Sequence, residues 1–262
     1  MNDEVINLGF YQILLGYVFV VIMLFILKKE SIKRERILVF ATLRMTLQLV
    51  LMGYVLTFVL ENPHPLVTLL VLLVMVGFSV FTVFRKFKDS LFPSLKRVIL
   101  VALPLGTLTS LLYFLYVVVG ISPYYDPQYI IPVAGMIIGN SMTGISLGIH
   151  TMINRFTDQK EEVETALMLG ATPKDASSTI VRESFDAAIM PTLNSMLGMG
   201  IIFLPGMMTG QILSGVSPLQ AISYQIGIMM GILGGVSLTT YIFLKFGYRT
   251  FFNHALQLTK GR

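Results

Sequence analysis

Long apolar runs dominate this chain and decide what it can fold into. About 20 apolar residues are enough to cross a bilayer as a helix. Seven segments reach that length, at about residues 8–27, 37–60, 66–84, 98–119, 129–150, 188–213 and 218–244. We therefore predict an all-α, polytopic membrane protein that forms a single transmembrane domain over residues 1–262.

Composition and charge agree with a chain that is embedded in a membrane. The sequence is 55% apolar and 13% charged, whereas soluble domains are about 45–50% apolar and about 25% charged. The net charge is +5, but the basic residues form short runs beside the apolar segments, so no nucleic-acid partner is expected. The sequence has no cysteine, which excludes disulfides and thiol chemistry. The start, Met1-Asn2-Asp3-Glu4, lacks a basic n-region, so the first apolar run is expected to remain in the mature protein.

The basic residues predict how the chain is oriented in the membrane. All 19 lie after the first, third, fifth or seventh apolar segment, or near the start of the second. The opposite set of connections contains no lysine or arginine. Its charged residues are all acidic, namely Asp3, Glu4, Glu61 and Asp126. Cytoplasmic loops carry an excess of lysine and arginine, so the N-terminus is predicted outside and the C-terminus in the cytosol.

A polar segment, residues 154–187, interrupts the apolar pattern on the predicted cytosolic side. Thr157 or Asp158 is suited to cap a helix there, and Gly170 is suited to end it, which predicts a short helix over about residues 158–170. Thr172 and Pro173 then have the pattern of N-cap and first residue of a second helix. So short a helix needs a docking partner, which is either the lipid headgroup region or another protein.

The same segment resembles the coupling helix of ABC-transporter permeases. The resemblance rests on Glu164-Thr165-Ala166, then Gly170, then Ile180, and Arg182-Glu183 stand where importers carry Leu-Pro. Three longer motifs, IPVAGMIIGNSM at 131–142, LGATP at 169–173 and LPGMMTG at 204–210, look like the FetB family of bacterial iron-export permeases. The plant aluminium-sensitivity permeases are related to that family.

The resemblance implies a permease subunit in the bacterial cytoplasmic (inner) membrane that works as a homodimer with a separate cytosolic ATP-binding subunit. That subunit would bind ATP and Mg²⁺, and the cargo would be iron or another metal, moved outward. The chain itself has no P-loop motif, so no cofactor and no enzymatic activity are expected of it. The residues expected to couple to the ATPase are Glu161, Glu164, Ala166, Leu167, Gly170, Ala171, Thr172 and Pro173.

Two irregular stretches are candidates for the transport pathway. Pro205-Gly206 is predicted to break the sixth segment, and irregular backbone at that depth is tolerated where it lines a cavity. Polar residues in the fifth segment have two explanations, contact with cargo or hydrogen bonds between helices. The pathway candidates are Asn140, Ser141, Pro205, Gly206, Met207, Met208 and Thr209.

Other patterns leave the cargo site unassigned. The sequence has 16 methionines, but thioether sulfur suits copper(I) better than iron, and methionine commonly fills irregular cores. Glu183 and Asp186 either attract a hard cation or pair with Arg182 or Lys174. No residue is therefore assigned as a metal ligand.

Two other classes of membrane protein remain for comparison. An ion-coupled secondary transporter is the alternative function, but such proteins use acidic residues at mid-membrane, and the centres of the seven segments have none. Gly144-Ile145-Ser146-Leu147-Gly148 matches the nucleophile-elbow pattern of hydrolases. That pattern requires a strand-to-helix turn, and here it lies inside an apolar segment, so close helix packing through small residues is the better explanation.

Overall fold

The computed structural model describes residues 9–253 and 255–258, and the regular elements in that part of the chain are all helical. The predictions that involve Asp3, Glu4, Lys260 and Arg262 fall outside the described residues. The α-helices are α1 (Phe10–Gly16), α2 (Val18–Lys29), α3 (Glu35–Glu61), α4 (Pro65–Lys86), α5 (Pro93–Leu112), α6 (Pro127–Asp158), α7 (Lys160–Met168), α8 (Pro173–Ala176), α9 (Ser178–Gly198), α10 (Gly206–Leu213) and α11 (Pro218–Gly247). A π-helical segment, Tyr113–Val119, continues α5, and a 3₁₀ turn, Tyr248–Phe251, follows α11.

Proline sets the start of five helices: Pro65, Pro93, Pro127, Pro173 and Pro218. Proline suits the first helical turn because its missing N–H would have no partner there. Except at Pro93, the side chain of the residue before the proline accepts a backbone N–H of the first turn. Four of these helices, α4, α5, α6 and α11, therefore begin at or before the first residue of an apolar segment predicted from sequence, whereas α8 begins within the polar segment.

Six helical stretches in the described chain are long and apolar enough to span a bilayer, rather than the seven that the sequence predicts. They are Phe10–Lys29, Glu35–Glu61, Pro65–Lys86, Pro93–Val119, Pro127–Asp158 and Pro218–Phe251. The segment predicted at 188–213 differs because it is divided between two helices. α9 starts earlier, at Ser178, and ends at Gly198, and α10 is only eight residues long.

The interruption expected at Pro205-Gly206 is present, but it begins already at Met199. Gly200 adopts a left-handed conformation with φ +83°, and its N–H donates to the carbonyl of Phe203 at 3.0 Å. This closes a tight turn, which ends α9 before the proline is reached. α10 then begins at Gly206.

The chain divides into two compact units. The first comprises Met1–Pro63 with Leu213–Gly215, and in its described part α2 packs on α3. The second comprises His64–Ile212 and Val216–Arg262. In the second unit, α6, α9 and α11 pack against one another, while α5 packs on α11 and on α6.

Small residues allow the helices of the second unit to approach closely. A Cβ added at Gly106 of α5 would lie 2.5 Å from the backbone nitrogen of Thr239 in α11. One added at Gly144 would lie 3.1 Å from the carbonyl oxygen of Ala188, and one at Gly148 would lie 3.5 Å from the Cβ of the same alanine. These contacts agree with the close packing that the small-residue pattern predicts.

One apolar cluster gathers several connections at a single end of the second unit. It includes Phe87 and Leu91 after α4, Phe156 near the end of α6, Val163 in α7 and Phe251 after α11. The connections that follow these helices carry many of the basic residues. Their common location agrees with a shared side of the membrane, and which side that is stays a prediction.

Candidate functional site

The short helix predicted over about residues 158–170 is present as α7, but it starts differently from the prediction. α6 continues through Thr157 and Asp158, and Gln159 occupies the N-cap position of α7 without a side-chain cap. The prediction that Thr157 or Asp158 caps the helix is therefore wrong. Buried Phe156 and Val163 explain the difference, because this spacing keeps the same face against the core across the junction.

The end of α7 follows the prediction. Gly170 has φ +90°, its N–H donates to the carbonyl of Leu167, and the N–H of Ala171 donates to the carbonyl of Ala166. This pair of bonds is a Schellman motif, which requires a left-handed residue that glycine adopts without strain. Thr172 then caps α8 by accepting the N–H of Asp175 at 3.2 Å, also as predicted.

α7 is fixed to the second unit by apolar contacts on one face. Val163 is buried, and Leu167 packs partly buried against the same cluster. Below the helix, Phe156 stacks on Phe251 with 4.1 Å between ring centroids. A nine-residue helix is marginal in water by itself, so these contacts hold it in place.

An exposed apolar surface lies at the C-terminal end of α7. Met168 is 86% exposed and Leu169 is 85% exposed, although charged residues surround them in sequence. Leu256, in the segment after α11, is 58% exposed and takes a left-handed conformation with φ +58°, which is unusual for leucine. We call Met168, Leu169 and Leu256 the coupling patch.

A cleft of about 700 Å³ adjoins the coupling patch. It is lined by Glu164, Leu167, Met168, Gly170, Ala171, Ala255, Leu256, Gln257 and Leu258. Four of the predicted coupling residues, Glu164, Leu167, Gly170 and Ala171, are therefore brought together at this cleft. Glu161 is exposed and Ala166 is half-buried, and Thr172 and Pro173 begin the next helix.

Sequence reasoning missed the coupling patch itself. The sequence prediction included Ala166 and Leu167, both of which are only partly exposed, and Leu167 packs against the apolar cluster. The available signal was two large apolar residues, Met168 and Leu169, directly before a glycine stop in a highly charged segment. The contribution of Leu256 had no local signal, because it depends on where the chain after α11 folds back.

The pathway candidates of α6 lie on different faces of the helix. Asn140 is exposed, and its Nδ2 donates to the carbonyl of Met136 at 2.8 Å. Ser141 is completely buried beside α11, where a Cβ added at Gly235 would approach its Oγ to 2.9 Å. Only Asn140 is thus positioned to contact a solute.

The pathway candidates near α10 differ in their surroundings. Met208 is buried, Met207 packs partly buried in an apolar cluster, and Thr209 donates to the carbonyl of Pro205 at 3.1 Å. A Cβ added at Gly206 would meet nothing within 4 Å. Among the described residues, α6 packs mainly on α4, α9 and α11, and α10 has no extensive packing partner.

A row of exposed polar residues follows α6 through the predicted span. Asn140, Thr143, His150 and Asn154 are all exposed and recur at helical spacing. The amide nitrogen of Asn154 lies 3.3 Å from Nε2 and 3.4 Å from Nδ1 of His150. We call these four residues the polar stripe. The sequence signal for it was the spacing of these four residues, at intervals of three, seven and four.

The neighbouring helix α9 also exposes polar residues, including Arg182, Asp186 and Asn194. Glu183 pairs instead with Arg155 of α6, with 2.6 Å between Glu183 Oε2 and Arg155 Nε. This ion pair connects the C-terminal end of α6 to the N-terminal part of α9. The prediction that Glu183 pairs with Arg182 or Lys174 is wrong, because its partner in the structure is Arg155.

Neither a preformed metal centre nor a hydrolase site is found in the described chain. No group of three or more His, Asp and Glu residues lies close enough to hold a metal ion there. The nucleophile-elbow pattern lies within α6, where Ser146 donates to the carbonyl of Met142 at 2.7 Å. It therefore lacks the strand-to-helix turn that the pattern requires.

Known proteins resemble this chain over most of its length. It is 31% identical over 258 residues to the probable iron export permease protein FetB of Escherichia coli, covering 98% of this chain and 97% of that protein. It is 38% identical to the membrane protein slr1647 of Synechocystis, over 82% of this chain and 83% of the relative. It is 33% identical to the protein ALUMINUM SENSITIVE 3 of Arabidopsis thaliana, over 87% of this chain and 82% of that protein.

No solved structure matches the chain significantly. The model of the uncharacterised protein family UPF0014 matches residues 10–252. With the relatives and the six apolar helices, this match confirms the family resemblance predicted from the sequence motifs. The chain is a multi-pass membrane protein that belongs to the UPF0014 family.

Proposed function

We propose that this chain is the membrane permease of an ABC transporter that exports iron or another metal. Two copies would form the transport unit, and two copies of a separate cytosolic subunit would bind and hydrolyse ATP with Mg²⁺. The observation that carries this proposal is the coupling patch, an exposed apolar surface at the end of a short helix that is itself firmly packed.

The coupling patch has the properties of a docking surface rather than of a membrane anchor. Apolar side chains that remain exposed together commonly mark a protein interface. Lys160, Glu161, Glu162 and Glu164 make α7 strongly charged, which keeps it out of the hydrocarbon core. The cleft beside the patch can receive a side chain from the partner.

The metal cargo is supported by likeness alone. The Escherichia coli relative is named as a probable iron export permease, and its alignment covers nearly all of both chains. Identity of 31% supports a similar kind of transport more strongly than the same cargo. Iron is therefore the first cargo to test, followed by other divalent metals.

The experiment replaces Met168 and Leu169 together with aspartate and measures binding to the ATP-binding subunit from the same genome. Burial of each side chain in an interface contributes about 1.5–3 kcal/mol, so the double variant is expected to bind at least about 100-fold more weakly. Both residues are exposed, so the permease should still fold. Metal efflux from proteoliposomes that contain both subunits should fall accordingly.

Glu162→Gln is the matched control, because Glu162 is exposed on α7 but lies outside the coupling patch. It should bind the ATPase as wild type does. If the double aspartate variant also binds and transports normally, α7 is not the docking element. Efflux that needs no ATPase and stops when an ion gradient is dissipated would favour a secondary transporter instead.

A further inference from the structure

The chain after α11 folds into a closed turn beside α7. We call its residues 252–253 and 255–258 the hook. Three hydrogen bonds join Asn253 to Gln257: the Asn253 N–H donates to the Gln257 carbonyl at 2.9 Å, the Gln257 N–H donates to Asn253 Oδ1 at 2.8 Å, and Asn253 Nδ2 donates to Gln257 Oε1 at 3.1 Å. The hook is therefore an element with a defined shape.

Apolar contacts hold both ends of the hook against the second unit. The ring of Phe252 lies edge-on to Phe156 of α6, with 5.9 Å between the ring centroids. Phe251, directly before the hook, stacks on Phe156 and also meets Phe92 edge-on at 5.2 Å. At the other end, Leu258 packs partly buried against this cluster. The hook is therefore fixed to the same core as α7.

Leu256 is held in an unfavourable backbone conformation within the hook. Its φ is +58°, where the Cβ of an L-residue comes too close to the following carbonyl oxygen. The Leu256 N–H donates to the carbonyl of Asn253 at 3.0 Å, which helps to fix this conformation. The side chain is not buried in return, since it is 58% exposed. Strained residues of this kind are concentrated at sites of binding and switching, so the strain indicates a role for this exposed side chain.

The hook and α7 form the two walls of the cleft beside the coupling patch. One wall belongs to α7 and the residues that follow it, up to Ala171, and the other consists of Ala255, Leu256, Gln257 and Leu258. The model of the UPF0014 family ends at residue 252, so the second wall lies beyond the residues that the model matches. A partner that docks on Met168 and enters the cleft therefore also contacts the hook.

We propose that the hook is a second docking element for the ATP-binding subunit, in which Leu256 contacts that subunit and Asn253 is a positioning residue that keeps Leu256 in place. This inference rests on the proposed function, because the partner is the same ATPase. α7 is a nine-residue helix and offers that subunit a single contact, about which it could turn. A second contact on a separate part of the chain fixes its orientation. Because the hook is already held against the core, little conformational freedom is lost when the ATPase binds.

Binding of the ATP-binding subunit to hook variants of the purified permease tests the two roles. Leu256→Asp should weaken binding by at least about 10-fold, because an apolar contact is lost and a charge is buried in its place. Asn253→Ala removes two of the three bonds to Gln257 and should weaken binding by about 3- to 10-fold, because the hook must then be ordered on docking. Asn253→Asp should bind nearly as wild type does, because a carboxylate still accepts the Gln257 N–H. Rescue by this variant distinguishes positioning of Leu256 from a general effect of changing Asn253.

Protection of a single cysteine tests the contact directly, because the chain has no native cysteine. Leu256→Cys should react readily with a thiol reagent in the purified permease, since the side chain is exposed. The ATPase at about ten times its dissociation constant should slow that reaction about 10-fold, because only the unbound permease reacts. Asp89→Cys is the control, because Asp89 is exposed in the connection after α4, outside the hook and the coupling patch, and its rate should not change.

The outcomes separate this inference from the proposed function. If Leu256→Asp binds the ATPase normally and Leu256→Cys is not protected, while the double aspartate variant of Met168 and Leu169 loses binding, the hook is not a docking element and the proposed function stands. Weak binding by Leu256→Asp with normal binding by the double variant would instead leave docking to the hook and remove α7 from it. If no ATP-binding subunit from the same genome binds the wild-type permease, both the role of the hook and the ABC assignment are wrong.

Discussion

Gly106 lies where α5 and α11 approach each other closely in the second unit. An added Cβ would lie 2.4–2.6 Å from atoms of Thr239, two of which belong to the backbone of α11. Backbone atoms cannot move aside as a side chain can, so the helices would have to separate. We expect Gly106→Ala to reduce the free energy of unfolding by about 1–3 kcal/mol, measured by thermal denaturation in detergent.

Gly77→Ala is the matched control for that prediction. Gly77 is also in the interior of a long apolar helix, but a Cβ added there meets nothing within 4 Å. Its replacement should leave stability unchanged or raise it by up to about 1 kcal/mol, because alanine favours helix. Equal stability of both variants would show that α5 and α11 do not pack as closely as described.

Single residues also show what the sequence could not reveal. Asn140 and Ser141 are adjacent, and the sequence treats them as one polar pathway pair. The structure places Ser141 inside the core and Asn140 on an exposed face. Which side of a helix is buried depends on the neighbouring helices that it packs against. An apolar segment without strong periodicity does not indicate which side that is.

At the level of elements, the sequence predicts most helices well because their signals are local. Length and apolarity indicate the spans, and proline indicates several of the starts. The predicted cap of α7 was wrong because α6 continues through Asp158, where the buried side chains of Phe156 and Val163 keep one face of the chain against the core. The predicted bounds of the sixth segment were wrong, because a turn at Gly200 rather than Pro205 ends α9.

The ion pair between Arg155 and Glu183 connects α6 to α9 and gives a prediction at this scale. Both side chains are more than one third exposed, so breaking the pair should change the free energy of unfolding by less than about 1 kcal/mol. Its role is to fix the end of α6 beside α9. Under the proposed function, we expect Arg155→Glu to lower metal-stimulated ATP hydrolysis by the permease with its ATPase subunit, while the permease remains folded.

Exchange of the two charges provides the test of that explanation. Arg155→Glu combined with Glu183→Arg should restore stimulated hydrolysis, because the attraction is re-formed in the opposite sense. Lys160→Glu serves as a control, since Lys160 pairs at 3.5 Å with Glu164 within α7 and does not connect two helices. Failure of the double exchange to restore hydrolysis would exclude the pair as the connecting contact.

For the whole molecule, the one-sided distribution of basic residues predicts a labelling pattern. Cysteine at Asn62 or Tyr124 should react with an impermeant thiol reagent in intact cells, because both residues are exposed in connections predicted to lie outside. Cysteine at Gln159 or Met168 should react only after the membrane is opened. The absence of native cysteine makes the labelling unambiguous.

The labelling experiment also has a clear contrary outcome. Reaction of the Met168 variant in intact cells, with Asn62 and Tyr124 protected, would reverse the orientation. The coupling patch would then face away from the cytosol, and no cytosolic ATPase would have access to it. Since Met168 is 86% exposed, lack of reaction there cannot be explained by burial within the chain.

One residue, Gln159, separates α6 from α7, so the polar stripe and the helix that carries most of the coupling patch are directly connected along the chain. Under the proposed function, a movement of α7 on docking of the ATPase is transmitted to α6, and a movement of α6 is transmitted to α7. Thermodynamic linkage makes the effect reciprocal: the factor by which the ATP-bound ATPase changes the affinity for metal equals the factor by which metal changes the affinity for that ATPase state. Under the proposed function, bound metal would therefore stabilise the complex with the ATP-bound ATPase through the same connection. Little ATP would then be consumed when the cell contains no excess metal.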